Sequence, residues 1–141
     1  KNTPRKRPNP VTEHLAYGEY MLNAAACGDC HTQFDKGEFV GPFLGGGREF
    51  EFPDGSVLRT PNLTAHETGL GEWSKEMFIK RFKAYADGSF VPHPVEPGDF
   101  QTMMPWLMYA HMTEQDLGAI YDYIRTLPPA DNSVVKFTAA K

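Results

Sequence analysis

Residues 27–31 read Cys-Gly-Asp-Cys-His, and this pentapeptide restricts the chain more than any other stretch. The spacing C-x-x-C-H is the attachment signature of a covalently bound haem. Two thiols three positions apart at a helix end can each add across a vinyl group of one porphyrin. The histidine that follows is then held under the iron, with Nε2 free to ligate. Other uses of a C-x-x-C pair need neighbours that this chain does not supply. A thioredoxin-like couple sits at a helix N-terminus after a strand, whereas residues 12–26 carry a helical pattern. A zinc site needs a second ligand pair. Cys27 and Cys30 are the only cysteines, and His14, His66, His93 and His111 are scattered without ligand spacing.

Haem iron held by a proximal histidine takes its second axial ligand from elsewhere in the chain, and that ligand sets the potential. With His31 as the first, the candidates downstream are Met103, Met104, Met108 and Met112. Most methionines are core filler, but Met103-Met104-Pro105-Trp106 falls between two helical patterns, where a loop can turn a thioether toward an iron. Pro105 biases Met104 to an extended conformation. Met104 is therefore expected as the sixth ligand, with Met103 next and His93 or His111 as bis-histidine alternatives. The His31 Nδ1–H should donate to a backbone carbonyl that fixes the ring, and Pro42 in the following loop is the expected acceptor. Trp73, Trp106 and Arg59 are the side chains expected to hydrogen-bond or pair with the haem propionates.

The 141 residues suit one domain that buries about two-thirds of the surface exposed by its unfolded chain. Aromatic residues make up 13% of it, as wrapping a large apolar macrocycle requires. Glycine and proline gather between Gly37 and Pro61 and between Gly88 and Pro105, which marks both stretches as loop. No run of 18 apolar residues exists to span a bilayer. Lys1, Arg5, Lys6 and Arg7 give the first ten residues four positive charges, and the remainder carries ten basic against eighteen acidic residues, a formal −8. Such an acidic body disfavours nucleic acid as a partner and favours docking to a basic or mixed surface. Residues 1–11 are expected to form a disordered basic leader, 12–132 the haem domain and 133–141 a C-terminal tail. Because the chain starts at Lys1 rather than Met, it is expected to be a mature or truncated form whose targeting segment is gone.

Three helices are expected. The first runs from an N-cap at Thr12 through Leu15, Tyr17, Met21, Leu22 and Ala25 straight into the haem motif. Gly18 lies in its middle at a cost of about 1 kcal/mol relative to alanine, which makes sense where another helix crosses closely. The second starts at Ser74 and ends near Asp87-Gly88, with Phe78, Ile79, Phe82 and Tyr85 inward. The third starts at Thr113, with Asp116 completing a capping box. It turns Leu117, Ile120, Tyr121, Ile124 and Leu127 inward and stops at Pro128-Pro129. Between the first two, residues 48–60 read as a small β-hairpin that turns at Asp54-Gly55.

Gly18, Cys27–His31 followed by Thr32, Met104-Pro105, and a last helix ending in Tyr123-Ile124-Arg125-Thr126-Leu127-Pro128-Pro129 resemble a class I cytochrome c. More narrowly, Thr60-Pro61-Asn62-Leu63-Thr64, the stretch from Glu67 to Ser74, and Met104-Pro105-Trp106 are similar to the cytochrome domains of membrane-bound bacterial alcohol and gluconate dehydrogenase subunits. The resemblance covers roughly residues 17–129. It implies an all-α fold whose first and last helices cross near Gly18, one haem c on Cys27 and Cys30, and iron between His31 and Met104. Two departures are visible: those subunits carry several such domains where this chain carries one, and Ala65-His66 stand where the family usually has Pro-Asp.

The expected function is that of a monohaem electron carrier between a dehydrogenase, a quinol-oxidising complex or a terminal oxidase. It would be no enzyme itself, would work in the periplasm or a similar compartment, and could have a membrane tether outside these residues. The alternatives are a peroxidase-like haem enzyme or a ligand-sensing haem module, either with an open or labile sixth position.

Overall fold

A computed structural model describes residues 3–141; the start of the expected leader, Lys1 and Asn2, lies outside them. Helix α1 (His14–Ala24) and helix α5 (Glu114–Thr126) cross to form the centre of the molecule. The crossing is closest at Gly18, where a Cβ would lie 2.7 Å from the Ala119 carbonyl carbon and 2.9 Å from Tyr123 Cβ. Only glycine leaves room for backbone to approach backbone in this way. Tyr17, one residue earlier, is buried, and its hydroxyl donates to Asp116 Oδ1 in the first turn of α5. Arg7 Nη2 donates to the same hydroxyl at 3.0 Å, with its guanidinium over the ring. Part of the basic leader thus lies on the crossing.

The third expected helix is present with its start as read. Thr113 Oγ1 accepts from Asp116 N at 3.0 Å, and Thr113 N donates to Asp116 Oδ2 at 3.1 Å, a complete capping box. Its inward stripe joins Leu22, Leu44, Leu70 and Phe78 in a single core. Helix α3 (Lys75–Lys83) is capped by Ser74 as expected, with Oγ accepting from Met77 N at 3.1 Å. It stops at Lys83, one turn earlier than expected, and the chain from Phe90 to Gln101 runs largely exposed.

The N-terminal helix departs from expectation at both ends. Thr12 does not cap it. Glu13 is the N-cap residue, and the entry turn is organised by Asn9, whose Oδ1 accepts from Val11 N and Thr12 N. Nor does the helix run into the motif. Ala26 takes a left-handed conformation (φ 58°), and the motif begins a separate one-turn helix, α2 (Cys27–Cys30). That break swings the cysteines out of register with α1. Helical periodicity alone cannot register it, because alanine carries no breaker signal.

The loop after His31 contains an unanticipated hairpin, β1 (Phe34–Asp35) with β2 (Glu38–Phe39), turned by Lys36 and Gly37, both at positive φ. The second hairpin, β3 (Glu49–Glu51) with β4 (Val57–Arg59), pairs Phe50 with Leu58 as its turn at Asp54-Gly55 requires. It is not two-stranded, however. Strand β5 (Phe137–Thr138), within the stretch expected as a tail, pairs antiparallel with β4, Phe137 opposite Leu58. A third strand is what a marginal ribbon needs for stability. One further single turn, α4 (Trp106–Tyr109), precedes α5.

Candidate functional site

His31 follows directly on α2 and is 7% exposed. Its Nδ1 lies 2.9 Å from the carbonyl oxygen of Pro61. A carbonyl only accepts, so the proton sits on Nδ1 and the lone pair on Nε2. The main chain of the same residue is held too, because His31 O accepts from Gly46 N at 2.7 Å. Nε2 has no hydrogen-bond partner among the described residues. No fully buried side-chain nitrogen or oxygen there lacks one, so Nε2 occupies the part of the ring that keeps its residual exposure. Burial lowers the imidazole's proton affinity, and the Pro61 bond works in the opposite direction with smaller effect. The outcome is a neutral imidazole with its free nitrogen presented, the form that binds a metal.

The expected acceptor, Pro42, is corrected to Pro61. The Pro42 carbonyl is occupied by Gly45 N at 2.9 Å, closing a turn of its own. Pro61 reaches the histidine because its peptide packs against Gly46, where a Cβ would lie 2.5 Å from the Pro61 carbonyl carbon. The run Gly45-Gly46-Gly47 was the available signal: three consecutive glycines mark a close backbone approach, although not the identity of the approaching segment.

Both thiols are free, Cys27 half-buried and Cys30 exposed. Burial, reinforced by Cys30 alongside, pushes the Cys27 thiol up to about 12. No cluster of three or more His, Cys, Asp or Glu gathers as a metal site among the described residues.

Met104 is half-buried in the connector before α4, with its N donating to Thr102 Oγ1 at 3.0 Å and its O accepting from Trp106 N at 2.8 Å. Four of its rivals are less enclosed: Met103 is 54% and Met108 61% exposed, and His93 and His111 are exposed too. Met112 packs against the core. Helix α4 is tied to the attachment segment by Tyr109, whose hydroxyl donates to Ala25 O. Burial raises the Tyr109 pKa, as do Cys27 and Cys30 nearby, which places the phenol beside the motif.

The side chains expected to meet propionates have other partners. Arg59 is engaged by its own sheet, with Nε on Glu49 Oε1 at 2.9 Å and Nη1 on Thr138 Oγ1 at 2.9 Å. Trp106 stacks on Tyr85 at 5.4 Å between centroids, with the Arg81 guanidinium 4.0 Å over its ring. Trp73 packs against the core, and its carbonyl accepts from Tyr121 OH. The cation that does reach the motif is Arg48, which sequence reasoning missed. It donates to Asp29 O at 2.6 Å and lies over the rings of Phe34 and Phe50. Cation–aromatic stacking across a hairpin leaves no local mark in a sequence.

These residues fit a covalently held haem. The donor set comprises two free thiols one helical turn apart and a neutral imidazole with its proton tied down. Phe90, Val91, Val95, Phe100 and Met103, in the segment that leads to Met104, are exposed.

Comparisons with known proteins agree with this chemistry. The chain is 32% identical over 131 residues to the fructose dehydrogenase cytochrome subunit of Gluconobacter japonicus, covering 88% of this chain and 24% of that one. It is 29% identical over 141 residues to the cytochrome c subunit of alcohol dehydrogenase (quinone) of Gluconacetobacter polyoxogenes, covering 93% and 28%. A diheme cytochrome c-type protein of Cereibacter sphaeroides is 26% identical over 127 residues, covering 87% and 39%. The chain therefore spans 24% to 39% of the length of these relatives. The family model for cytochrome c matches residues 15–128; the chain belongs to the cytochrome c family, whose members carry electrons on covalently bound haem c.

Proposed function

We propose that residues 12–132 form a monohaem electron-carrying domain, with one haem c joined through Cys27 and Cys30 and its iron held by His31 and Met104. The observation that carries this reading is the buried His31 ring, proton bound by Pro61 and Nε2 free, one position beyond the two thiols. When bound, the haem supplies an iron that alternates between ferric and ferrous states. The chain's own residues do the rest. Cys27 and Cys30 anchor the macrocycle on α2, and Pro61 orients the imidazole. Tyr109 holds α4, and with it the Met104 connector, to the end of α1. The core residues around Leu44 and Phe78 exclude water, so little solvent reorganises when the charge changes.

The relatives named as dehydrogenase cytochrome subunits support a redox protein as partner: a dehydrogenase, a quinol-oxidising complex or a terminal oxidase. Haem attachment of this type is made outside the cytoplasmic membrane, which supports a periplasmic setting, in which the chain carries electrons for an oxidoreductase and does not catalyse. Among the described residues no helix is long and apolar enough to cross a membrane. Weak redox encounters use small interfaces, and an acidic body suits a basic or mixed partner surface.

The test is a mass spectrum and two optical spectra of protein made in cells equipped for haem attachment. One haem per chain, and a sulfur-to-iron charge-transfer band in the oxidised form, are expected. A chain that weighs only its amino acids would refute the proposal. Rapid carbon monoxide binding to the ferrous protein at neutral pH would replace the carrier with a sensing module.

A further inference from the structure

The chain that leaves α5 returns to the histidine side of the site and is tied there by one buried amide. Asn62 is 3% exposed, and every polar atom of its side chain is engaged. Its Oδ1 accepts from Thr64 N at 2.9 Å and from Thr64 Oγ1 at 2.7 Å. Its Nδ2 donates to Ala130 O at 2.7 Å and is shared with Thr68 Oγ1 at 3.1 Å and Asn132 O at 3.3 Å. The return segment answers these contacts: Ala130 N donates to Thr64 Oγ1 at 3.0 Å, Asn132 N to Thr68 Oγ1 at 3.0 Å, and Asn132 Nδ2 to Gly45 O at 2.8 Å. Five residues beyond Asn132, β5 pairs with β4, which leads directly into Thr60-Pro61. Residues 130–138 thus grip the Pro61 loop on both sides.

Asn62 N and the Pro61 carbonyl belong to one peptide unit, so any rotation of the Asn62 backbone moves the oxygen that holds His31 Nδ1–H. We propose that Asn62 and Thr64, with the return segment 130–132, form a positioning device that aims the Pro61 carbonyl at His31 and thereby tunes the redox preference of the iron. The inference rests on the reading that His31 ligates a haem. A firm Nδ1–H bond raises the basicity of the ring, which donates more strongly through Nε2 and favours the ferric state. Loosening the acceptor weakens that donation and favours the ferrous state, so the midpoint potential rises. Buried networks in which every member is satisfied hold geometry most tightly, because each broken bond leaves an unpaired polar group in low dielectric.

The experiment compares haem-loaded wild type with Asn62→Ala, Thr64→Val and Thr64→Ser, and uses Thr113→Ala as a control that weakens the fold at a distance. Two quantities are read: the midpoint potential, and the exchange rate of the His31 Nδ1 proton by NMR in the ferrous state. Asn62→Ala and Thr64→Val should raise the potential and speed exchange by about fivefold, the factor that corresponds to losing the net stabilisation of one intramolecular hydrogen bond. Thr64→Ser, which keeps the hydroxyl, should restore both. If Asn62→Ala fails to fold, Thr64→Val against Thr64→Ser decides alone. Unmoved potential and exchange in a loaded, folded Thr64→Val protein, or shifts no larger than those of Thr113→Ala, would overturn the inference while leaving the haem reading intact. A wild-type chain that gains no haem mass would overturn the haem reading itself, and this inference with it.

Discussion

Replacing Gly18 with alanine places a methyl group against the backbone of α5. The new Cβ would lie 2.7 Å from the Ala119 carbonyl carbon, with the carbonyl oxygen nearer still, and 2.9 Å from Tyr123 Cβ. Ordinary contact begins at 3.4 Å, so the shortfall at the carbonyl carbon is about 0.7 Å. Main chain cannot turn aside as a flexible side chain can. The two helices must separate, and the packing of Leu22 against Leu117 and Ile120 loosens with them. Overpacking of this kind costs about 1–3 kcal/mol, and an obstacle made of backbone belongs at the upper end. The better helix propensity of alanine returns about 1 kcal/mol, leaving a net loss of roughly 2 kcal/mol. For a domain of this size that lowers Tm by about 6–10 °C. Gly118→Ala is the internal control: one residue before Ala119 on α5, its Cβ meets only Lys75 Cδ at 3.5 Å and Ile79 Cδ1 at 3.7 Å. It should be neutral or stabilising by up to about 1 kcal/mol. Thermal melts of the haem-loaded proteins followed by far-ultraviolet circular dichroism make the comparison. A Gly18→Ala protein that melts at or above wild type would refute the close crossing.

Met104→Ala should abolish the sulfur-to-iron charge-transfer band and lower the midpoint potential, while Met103→Ala leaves both in place; an unchanged Met104→Ala spectrum would move the ligand elsewhere. Thr113→Ala removes the hydroxyl half of the capping box and should cost about 1 kcal/mol in urea denaturation, with Thr113→Ser close to wild type. For Asp122, burial acts to raise the carboxyl pKa, but hydrogen bonds from Lys75 and His14 to Oδ2 outweigh it and hold the group below its ordinary 3.8. A depressed carboxylate contributes stability above its unfolded pKa and loses it as pH falls through the folded one. Asp122→Asn should therefore shallow the loss of stability below about pH 4, whereas an acid limb identical to wild type would show that the bridge contributes nothing.

Features written into a few consecutive residues were readable without coordinates. The haem motif needs only its own spacing, the Thr113–Asp116 box only two intervening residues, and the Asp54-Gly55 turn only its two residues. Gly18 was readable for a related reason: a helix interior tolerates glycine at a cost, so its presence marks a contact that demands it. The misreadings share the opposite character. Ala26 bends the chain, at φ 58°, at a residue with no breaker signature. Arg59 was assigned by charge, yet its partners depend on β5, some eighty residues away in the chain.

Amino-acid order alone therefore established which chemistry this protein can hold, since two thiols, an imidazole and their spacing define the attachment before any folding is considered. Which carbonyl steadies that imidazole was decided only in three dimensions. Pro42 and Pro61 are equivalent as acceptors in a sequence, and the choice fell to Pro61 because its peptide settles on Gly46 while Asn62 and the strand returning from α5 hold it there. Local geometry is short-ranged and can be read residue by residue. The partner of a buried donor depends on which distant segment wins the space beside it, and that competition is resolved only by packing the whole chain.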